Sequence, residues 1–283
     1  MNPRRTFILI VAAIVAMMLS SPHYASDQTT LFFDDFNGPT LNPTFQASLP
    51  IAPAESGGVN LTYLGAPNYS FGTVAGASVL RLTTTMDNRQ RVGWNTSTIF
   101  KVSDFRLEAR FNVLVQSPTT SIDSFIEAWL IDAANSARNV VTGPAGQNYG
   151  LTRQLRGGSS IDGQHLVQAT NYFDNTWYRL VITGAANRNV RASLFADDGT
   201  TELIGQTFGF NTTSFPSGFE IGLGQESGVP NGPYPVDVAI DYLRLTTSVV
   251  PEPPAGVLIL FGVALCGPIV FRRRCNQTIP KSI

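Results

Sequence analysis

The sequence predicts an all-β protein, an antiparallel β-sandwich flanked by an N-terminal signal peptide and one C-terminal transmembrane helix. Three observations predict this arrangement: short segments with period-2 alternation, turn clusters at regular spacing between them, and an uncharged apolar stretch near each end. Almost no segment between the two ends has a helical period. The predicted domain covers residues 26–246, a length that suits one all-β domain with a substantial core.

The first 25 residues have the composition of a secretory signal peptide. Arg4–Arg5 form a charged start, Phe7–Leu19 is a 13-residue apolar segment, and Ser20–Ala25 contains mostly small or turn-forming residues. The apolar segment is short for a membrane span. We therefore expect residues 1–25 to be removed and the domain to be exported.

Strand signals fill the region between the two ends. Along Phe105–Val113 the apolar residues occupy every second position, as in a strand with one buried face. The same alternation marks six other segments: Val79–Thr83, Ser124–Ile131, Trp177–Thr183, Val190–Phe195, Phe219–Leu223 and Val236–Leu245. Asp198–Gly199 predicts a hairpin, Gly157–Gly158 a turn, and Ala133–Asn148 a long loop. We expect Trp177 to lie in the core.

The C-terminal region contains three features in series. Residues 247–254 form a proline-rich linker, which is expected to be extended because proline cannot sit inside a helix. Residues 255–271 are 17 uncharged residues, enough for a short transmembrane helix. Residues 272–283 begin with three arginines, a basic flank that stays in the cytoplasm and leaves the domain outside.

This series of a Pro-Glu-Pro box, an apolar helix and a basic cluster resembles the PEP-CTERM sorting signal of Gram-negative bacterial envelopes. The residues that carry the resemblance are Pro251, Glu252, Pro253, Arg272, Arg273 and Arg274. The resemblance implies a transpeptidase-like membrane enzyme as a processing partner. It also implies anchoring in the inner membrane in transit, followed by delivery to the cell surface or the extracellular matrix. A plain anchor that is never cleaved is the alternative interpretation.

Charge and cysteine content exclude several classes of function. Six of the 19 basic residues but only one of the 20 acidic residues lie in the two ends, so residues 26–248 have a net charge of −6. This charge argues against nucleic acid as a partner, because binding phosphates requires a basic surface. Both cysteines, Cys266 and Cys275, lie in the tail, so the domain has no disulfide, cysteine ligand or thiol nucleophile.

Several segments together resemble the concanavalin A-like lectin and glucanase superfamily. They are Leu31–Phe45, Phe105–Val113, Asn175–Ile182 and Ile240–Leu245. The resemblance implies a jelly roll of two curved antiparallel sheets whose concave face can hold a sugar chain. It also implies a structural Ca²⁺ between the first and last strands, for which Asp35 and Asp241 occupy suitable positions. Two solvated carboxylates are the alternative interpretation of these aspartates.

Retaining glucanases of this superfamily carry Glu-x-Asp-x-x-Glu on one strand, and the nearest segment here departs from that motif. Glu127 is present, but Trp129 stands where the middle aspartate belongs. Asp132 lies five residues after Glu127, and an odd spacing places two side chains on opposite faces of a strand. The sequence therefore favours a protein that is not an enzyme. Glu127 is the weak catalytic candidate that remains, with Glu220 or Glu226 as carboxylates from other strands.

Glu127 and Trp129 alternate onto one face of their strand, which suits a carbohydrate-binding surface. An aromatic plane packs on the apolar face of a pyranose ring, and a carboxylate accepts hydrogen bonds from sugar hydroxyls. Trp94, Tyr149 and Arg153 are further candidates for this surface. The alternative is that Trp129 belongs to the core and that Arg153 is only the structural partner of a buried Glu127.

These patterns predict an exported cell-envelope or extracellular-matrix protein that binds exopolysaccharide without cleaving it. One alternative is a divergent glycoside hydrolase or polysaccharide lyase, in which His165 would act as the base. Another is a structural matrix protein without a defined ligand. Exposed aromatics on the concave face favour the first function, two carboxylates about 5–9 Å apart the second, and a filled apolar face the third.

Overall fold

The computed structural model of the chain describes ten segments: residues 28–46, 62–63, 68–83, 85–86, 90–115, 124–147, 152–170, 173–227, 234–235 and 237–248. The predicted signal peptide, transmembrane helix and sorting motif lie outside these segments, as does Tyr149. One compact unit is Thr30–Thr247; a second, Met1–Thr29 with Ser248–Ile283, falls almost entirely outside the described residues. Within the ten segments, no helix is long and apolar enough to cross a membrane.

The described residues form eighteen strands and one short 3-10 helix, Thr212–Ser214. The strands are β1 (Gln28–Asp34), β2 (Phe45–Gln46), β3 (Thr62–Tyr63), β4 (Tyr69–Val74), β5 (Ala77–Leu82), β6 (Thr85–Met86), β7 (Gln90–Thr96), β8 (Asp104–Val115), β9 (Ser124–Asp132), β10 (Asn139–Gln147), β11 (Thr152–Ser159), β12 (His165–Ala169), β13 (Trp177–Ala185), β14 (Arg188–Ala196), β15 (Glu202–Thr207), β16 (Phe219–Ser227), β17 (Tyr234–Pro235) and β18 (Asp237–Ser248).

Two sheets of eight strands each make up the fold. Sheet A has the order β15-β14-β13-β8-β18-β5-β4, with β1 also paired to β18. Sheet B has the order β12-β11-β10-β9-β16-β7-β2, with β3 paired to β7. The strands pair antiparallel along both of these orders, while β3 runs parallel to β7. The two-sheet architecture confirms the predicted all-β antiparallel sandwich.

The main core lies between the two sheets, and β8 shows how the sequence places it there. Leu107 and Phe111 are buried in this core, whereas Arg106 and Arg110 form ion pairs on the other face of the strand. Burying one large apolar side chain stabilises a fold by about 1.5–3 kcal/mol. Repeated over many strands, this gain sets which face of each sheet points inward.

Two predicted breaks between strands are wrong. The predicted loop Ala133–Asn148 contains β10, which pairs with β9 and β11. The predicted turn Gly157–Gly158 lies inside β11. Gly143 in β10 and Gly157 in β11 allow close packing instead of marking a turn. A Cβ on Gly143 of β10 would lie 1.9 Å from the Ile126 carbonyl oxygen, and one on Gly157 would lie 2.9 Å from the Phe208 ring.

The hairpin predicted at Asp198–Gly199 is present between β14 and β15. Gly199 has a φ of +70°, a left-handed conformation that glycine adopts without strain. At the other boundary, β18 continues to Ser248, two residues beyond the predicted end of the domain.

A buried carboxylate joins three strands on the outer face of sheet A. The side chain of Glu108 on β8 is 2% exposed, and it accepts a hydrogen bond from Arg106 Nε at 2.9 Å. The Tyr242 hydroxyl of β18 and Arg179 Nη1 of β13 donate to its other oxygen. Burial alone would raise the pKa of Glu108, but the hydrogen bonds from Tyr242 and Arg106 outweigh burial and lower it. The ionised carboxylate therefore ties β8, β13 and β18 together.

The prediction that Trp177 lies in the core is wrong. Trp177 begins β13 on the outer face of sheet A and remains partly exposed. The guanidinium carbon of Arg110 lies 4.4 Å from the centre of its ring. Arg110 also pairs with Asp197 at 2.6 Å and Asp241 at 2.7 Å. A cation–π contact therefore holds this indole at the surface.

Candidate functional site

The candidate site lies on the outer face of sheet B, which points away from the main core. On β9, Ile126, Ala128 and Leu130 belong to the main core. Because neighbouring side chains on a strand point to opposite faces, Glu127 and Trp129 lie on the outer face. The structure thus brings together the two residues that the sequence singled out for this surface.

Trp129 lies flat in a slot made by three glycines of the adjoining strands. On β16, a Cβ on Gly222 would lie 1.7 Å from Trp129 Nε1, and one on Gly224 would lie 2.4 Å from Cη2. On β7, a Cβ on Gly93 would lie 2.2 Å from Cη2. Any side chain at these positions would displace the indole. The three glycines therefore leave the space that the ring occupies.

Trp129 is fully buried, and it belongs to a small apolar cluster with Ile131 and Val141 that is separate from the main core. An indole with no exposed surface does not offer an open stacking platform for a sugar ring. The candidate site therefore depends on the polar groups around the tryptophan rather than on its exposed face.

Asn95 of β7 supplies the first of these polar groups. Its Oδ1 accepts a hydrogen bond of 2.6 Å from Trp129 Nε1. Asn95 is 1% exposed, and its Nδ2 has no hydrogen-bond partner. A buried amide nitrogen without a partner carries a desolvation cost, which a bound acceptor would relieve.

Glu220 of β16 supplies the second polar group. Its Oε2 is buried without a hydrogen-bond partner, and this burial raises the pKa of the carboxyl. Gly222 pairs with Asn95, so Glu220, two residues earlier on the same strand, is the diagonal neighbour of Asn95. Diagonal Cβ atoms in a sheet are about 7–8 Å apart. An unpaired donor and an unpaired acceptor therefore occupy neighbouring positions of adjoining strands.

The register of β9 and β16 separates Glu127 from Glu220. Glu220 lies opposite Ile131, four residues along β9 from Glu127. Four residues correspond to about 13 Å, more than the roughly 5–9.5 Å that separates the two carboxylates of glycosidases. The Asp132 carboxylate accepts a hydrogen bond from Arg138, whose Nε lies 3.1 Å from Asp132 Oδ2. Glu127 and Glu220 thus do not form a hydrolytic pair.

Among the other predicted site residues, neither Trp94 nor His165 lies beside Trp129, since Trp94 belongs to the main core and His165 is three strands away on β12. Trp94 precedes Asn95 on β7, so the two side chains point to opposite faces and Trp94 lies in the main core. Its ring centre is 5.4 Å from that of Tyr69. His165 is exposed at the start of β12, with Nε2 3.4 Å from Arg156 Nη2. Arg153 lies in β11, where its backbone pairs with Gly146, and its side chain is outside the described structure.

Sequence reasoning missed Asn95 as a site residue. Asn95 follows Trp94 on β7, and successive side chains of a strand point to opposite faces. Placing Trp94 in the core therefore predicts that Asn95 lies on the outer face. Its contact with Trp129 spans 34 positions of the chain. A pairing across strands of that separation has no local signal in the sequence.

The predicted calcium ligands are engaged in other contacts. Asp241 accepts a hydrogen bond from Arg110 at 2.7 Å, and Asp35 accepts one from the Asn37 side chain at 2.6 Å. Among the described residues, no group of three or more His, Cys, Asp or Glu side chains is placed to hold a metal ion. The structural Ca²⁺ stays a prediction.

Comparisons with solved structures show the fold. The CBM2 module of the evolved Dit protein from Lactobacillus casei BL23 phage J-1 is one match, with 12% identity and a TM-score of 0.58. The superposition covers 80% of this chain and 98% of the module. A structure described for endo-acting O-glycanases of the human gut microbiota, which initiate mucin breakdown, covers 78% of this chain and 100% of its own, with 12% identity and a TM-score of 0.51.

A glycoside hydrolase family 16 endo-glucanase from Bacteroides ovatus covers 76% of this chain and 99% of its own, at 16% identity and a TM-score of 0.49. No protein-family model and no curated protein matches the sequence. The chain thus shares its fold with the CBM2 module and with the structure described for the O-glycanases. At these identities the likeness is one of fold alone.

Substituting Gly222 with alanine should disrupt the tryptophan slot. The new Cβ would overlap Trp129 Nε1, so we expect loss of the bond to Asn95 and a fall of about 2–3 kcal/mol in the free energy of unfolding. Urea unfolding followed by tryptophan fluorescence would measure both changes. Gly72→Ala is the matched control, because the nearest atom to its Cβ is 3.8 Å away. Equal stability of the two variants would contradict the slot.

Substituting Glu220 with glutamine should stabilise the protein at neutral pH. Burial raises the native pKa of this carboxyl, so the unfolded state loses its proton at lower pH and stability falls as the pH rises through this window. The gain at pH 7 should be below about 1 kcal/mol, because Glu220 keeps partial contact with water. It should vanish below pH 4, where the carboxyl is protonated in both states. Unfolding curves of both proteins at pH 3.5 and pH 7 test this; a destabilised variant at pH 7 would show that the carboxylate has a partner.

Proposed function

We propose that this protein is an exported carbohydrate-binding protein of the cell envelope or extracellular matrix, and that it does not cleave its glycan. The observation that carries this proposal is the pair of unpartnered buried atoms beside Trp129, Asn95 Nδ2 and Glu220 Oε2. They lie on adjacent strands of one sheet face. Their placement provides a donor and an acceptor on the same surface.

A sugar hydroxyl is suited to such a pair because it both accepts and donates a hydrogen bond. It would accept from the Asn95 amide and donate to the Glu220 carboxylate. A polyol can form hydrogen bonds with these buried groups and so offset the cost of their desolvation, whereas an apolar ligand cannot. Binding of a polyol is therefore favoured. The fold is consistent with this ligand class, since a CBM2 module shares it.

The positions of Glu127 and Glu220 support a function without cleavage. Their separation of about 13 Å along the sheet exceeds what either glycosidase geometry uses. The full burial of Trp129 favours a second candidate, a structural matrix protein whose sheet face is filled and takes no ligand. Binding measurements separate these two functions.

We also propose that the tail sorts the protein through the inner membrane. The Pro-Glu-Pro box, the 17 uncharged residues that follow and the three arginines support a signal of the PEP-CTERM type. A transpeptidase-like membrane enzyme would recognise the box and release the domain to the cell surface or matrix. The extended spacer leaves the box accessible to this enzyme.

Glycan binding is predicted to depend on Asn95 and Glu220. The full chain in mild detergent would be run through native gels that contain individual polysaccharides, among them the producer's own matrix, and the samples assayed for new reducing ends. We expect retardation without new reducing ends. The double variant Asn95→Ala with Glu220→Gln should bind at least tenfold more weakly, since two hydrogen bonds are removed. Asn189→Ala with Glu202→Gln, the same changes at exposed positions elsewhere, should bind normally.

Three results would contradict this proposal in different ways. New reducing ends that disappear in Glu127→Gln would identify a hydrolase. Retardation that the double variant leaves unchanged would place the glycan on another surface. No retardation by any polysaccharide would favour the structural matrix protein.

Tail processing is predicted to depend on the Pro-Glu-Pro box. Replacing Pro251, Glu252 and Pro253 with alanine should leave the tail attached, because the extended recognition segment is lost. The variant would then stay in the membrane fraction with its C-terminal peptides detectable by mass spectrometry, while the natural chain would lack them. If both proteins retain those peptides, the tail is a plain anchor.

A further inference from the structure

One end of the sandwich is formed where β18 finishes, and we call it the exit end: residues 99–104, 186–188 and 247–248. Thr247 Oγ1 donates to the Asp104 carbonyl oxygen at 2.8 Å, which joins the end of β18 to the start of β8. Ala186 N donates to the Ser103 carbonyl oxygen at 2.8 Å, which adds the turn between β13 and β14. These segments therefore share one surface, next to the point where the chain continues toward the tail.

The exit end carries basic side chains that the rest of the domain does not neutralise. Lys101 and Arg188 are exposed, and within the described part of the chain neither forms an ion pair. Asp104, the acidic residue within the exit end, accepts a hydrogen bond from the Thr247 hydroxyl at 3.1 Å. These charges stand out because residues 26–248 have a net charge of −6.

Acidic residues lie at the opposite end of the sandwich. Asp174 lies just before β13, and Asp197 and Asp198 lie in the turn after β14. This end is about 30 Å from the exit end, the length of the nine residues of β13. That distance is several times the Debye length of about 8 Å at physiological salt, so the two ends present separate electrostatic surfaces.

An exposed apolar side chain lies beside the basic residues. Ile99 is 48% exposed. It packs next to Lys101, because a Cβ on Gly218 would lie 2.8 Å from Ile99 Cγ2 and 2.9 Å from Lys101 Cγ. An apolar group beside a cation is a combination found on surfaces that rest on anionic lipid headgroups.

The length of the tether places this surface near a bilayer. Seven residue steps separate Ser248 from Ala255, the start of the 17 uncharged residues. Fully extended, they span about 25 Å, and the headgroup layer itself is about 5–8 Å deep. Tethering at this distance gives an effective concentration in the millimolar range, so weak contacts become populated.

We propose that the exit end contacts anionic lipid headgroups through Ile99, Lys101 and Arg188 while the tail holds the protein in the membrane. This inference rests on the proposed membrane anchoring of the tail and not on glycan binding. The contact orients the sandwich with its long axis away from the bilayer. Each basic residue near an anionic surface favours the docked state by about fivefold at low ionic strength.

Hydrogen exchange on the full chain in nanodiscs tests the contact. One set of nanodiscs contains phosphatidylglycerol and the other only phosphatidylcholine. In phosphatidylglycerol we expect amides of residues 99–104 and 186–188 to exchange at least fivefold more slowly than in phosphatidylcholine. Protection should fall at 0.5 M salt, because charges exposed to solvent are screened.

Two double variants with the same net charge separate the exit end from overall charge. Lys101→Gln with Arg188→Gln should abolish the protection. Thr176→Glu with Thr200→Glu, at exposed positions on the far end, should retain it. Equal exchange in both lipids, or equal protection in both variants, would overturn the proposal although the tail inserts. A chain that alkaline carbonate extracts from the nanodiscs would overturn the anchoring and the proposal together.

Discussion

The packing of Trp129 against Gly93, Gly222 and Gly224 is the constraint on which the candidate site depends. Because these positions of β7 and β16 lack side chains, the indole lies flat on the outer face of sheet B instead of projecting from it. Its ring nitrogen then meets Asn95 Oδ1 and leaves the other amide atom without a partner. Because the ring is fully buried, the proposed recognition depends on hydrogen-bonding groups at its edge.

Two carboxylates, one on each outer face of the sandwich, have different surroundings. On sheet A, Glu108 is surrounded by donors from three strands, and its charge is fully used within the fold. On sheet B, Glu220 keeps a buried oxygen without a partner. A satisfied buried network stabilises and specifies a fold, whereas an unsatisfied one at a surface indicates a place for a ligand. This difference supports a structural role for Glu108 and the proposed ligand contact of Glu220.

Local alternation was enough to predict seven of the eighteen described strands, because one face of each of these strands is buried and the pattern with period 2 follows. It failed along β10, where Gly143 is required by the close approach of Ile126 and interrupts the pattern. It also misplaced Trp177, whose position depends on a guanidinium from the neighbouring strand. Glu127 and Trp129 were predictable because they alternate on one strand. The role of Asn95 was not, because it arises from the register of separate strands.

The indole signals of the three tryptophans in a ¹⁵N NMR spectrum would test directly whether a glycan binds beside Trp129. Trp129 bonds to Asn95 at the candidate site, Trp94 lies in the main core, and Trp177 lies on sheet A. Titration of the labelled chain with oligosaccharides from a bound polysaccharide, with assignment by Trp129→Phe, would report each face separately. The account predicts that the Trp129 signal shifts and the Trp177 signal does not. A shift of Trp177 alone, or of none of the three, would contradict it.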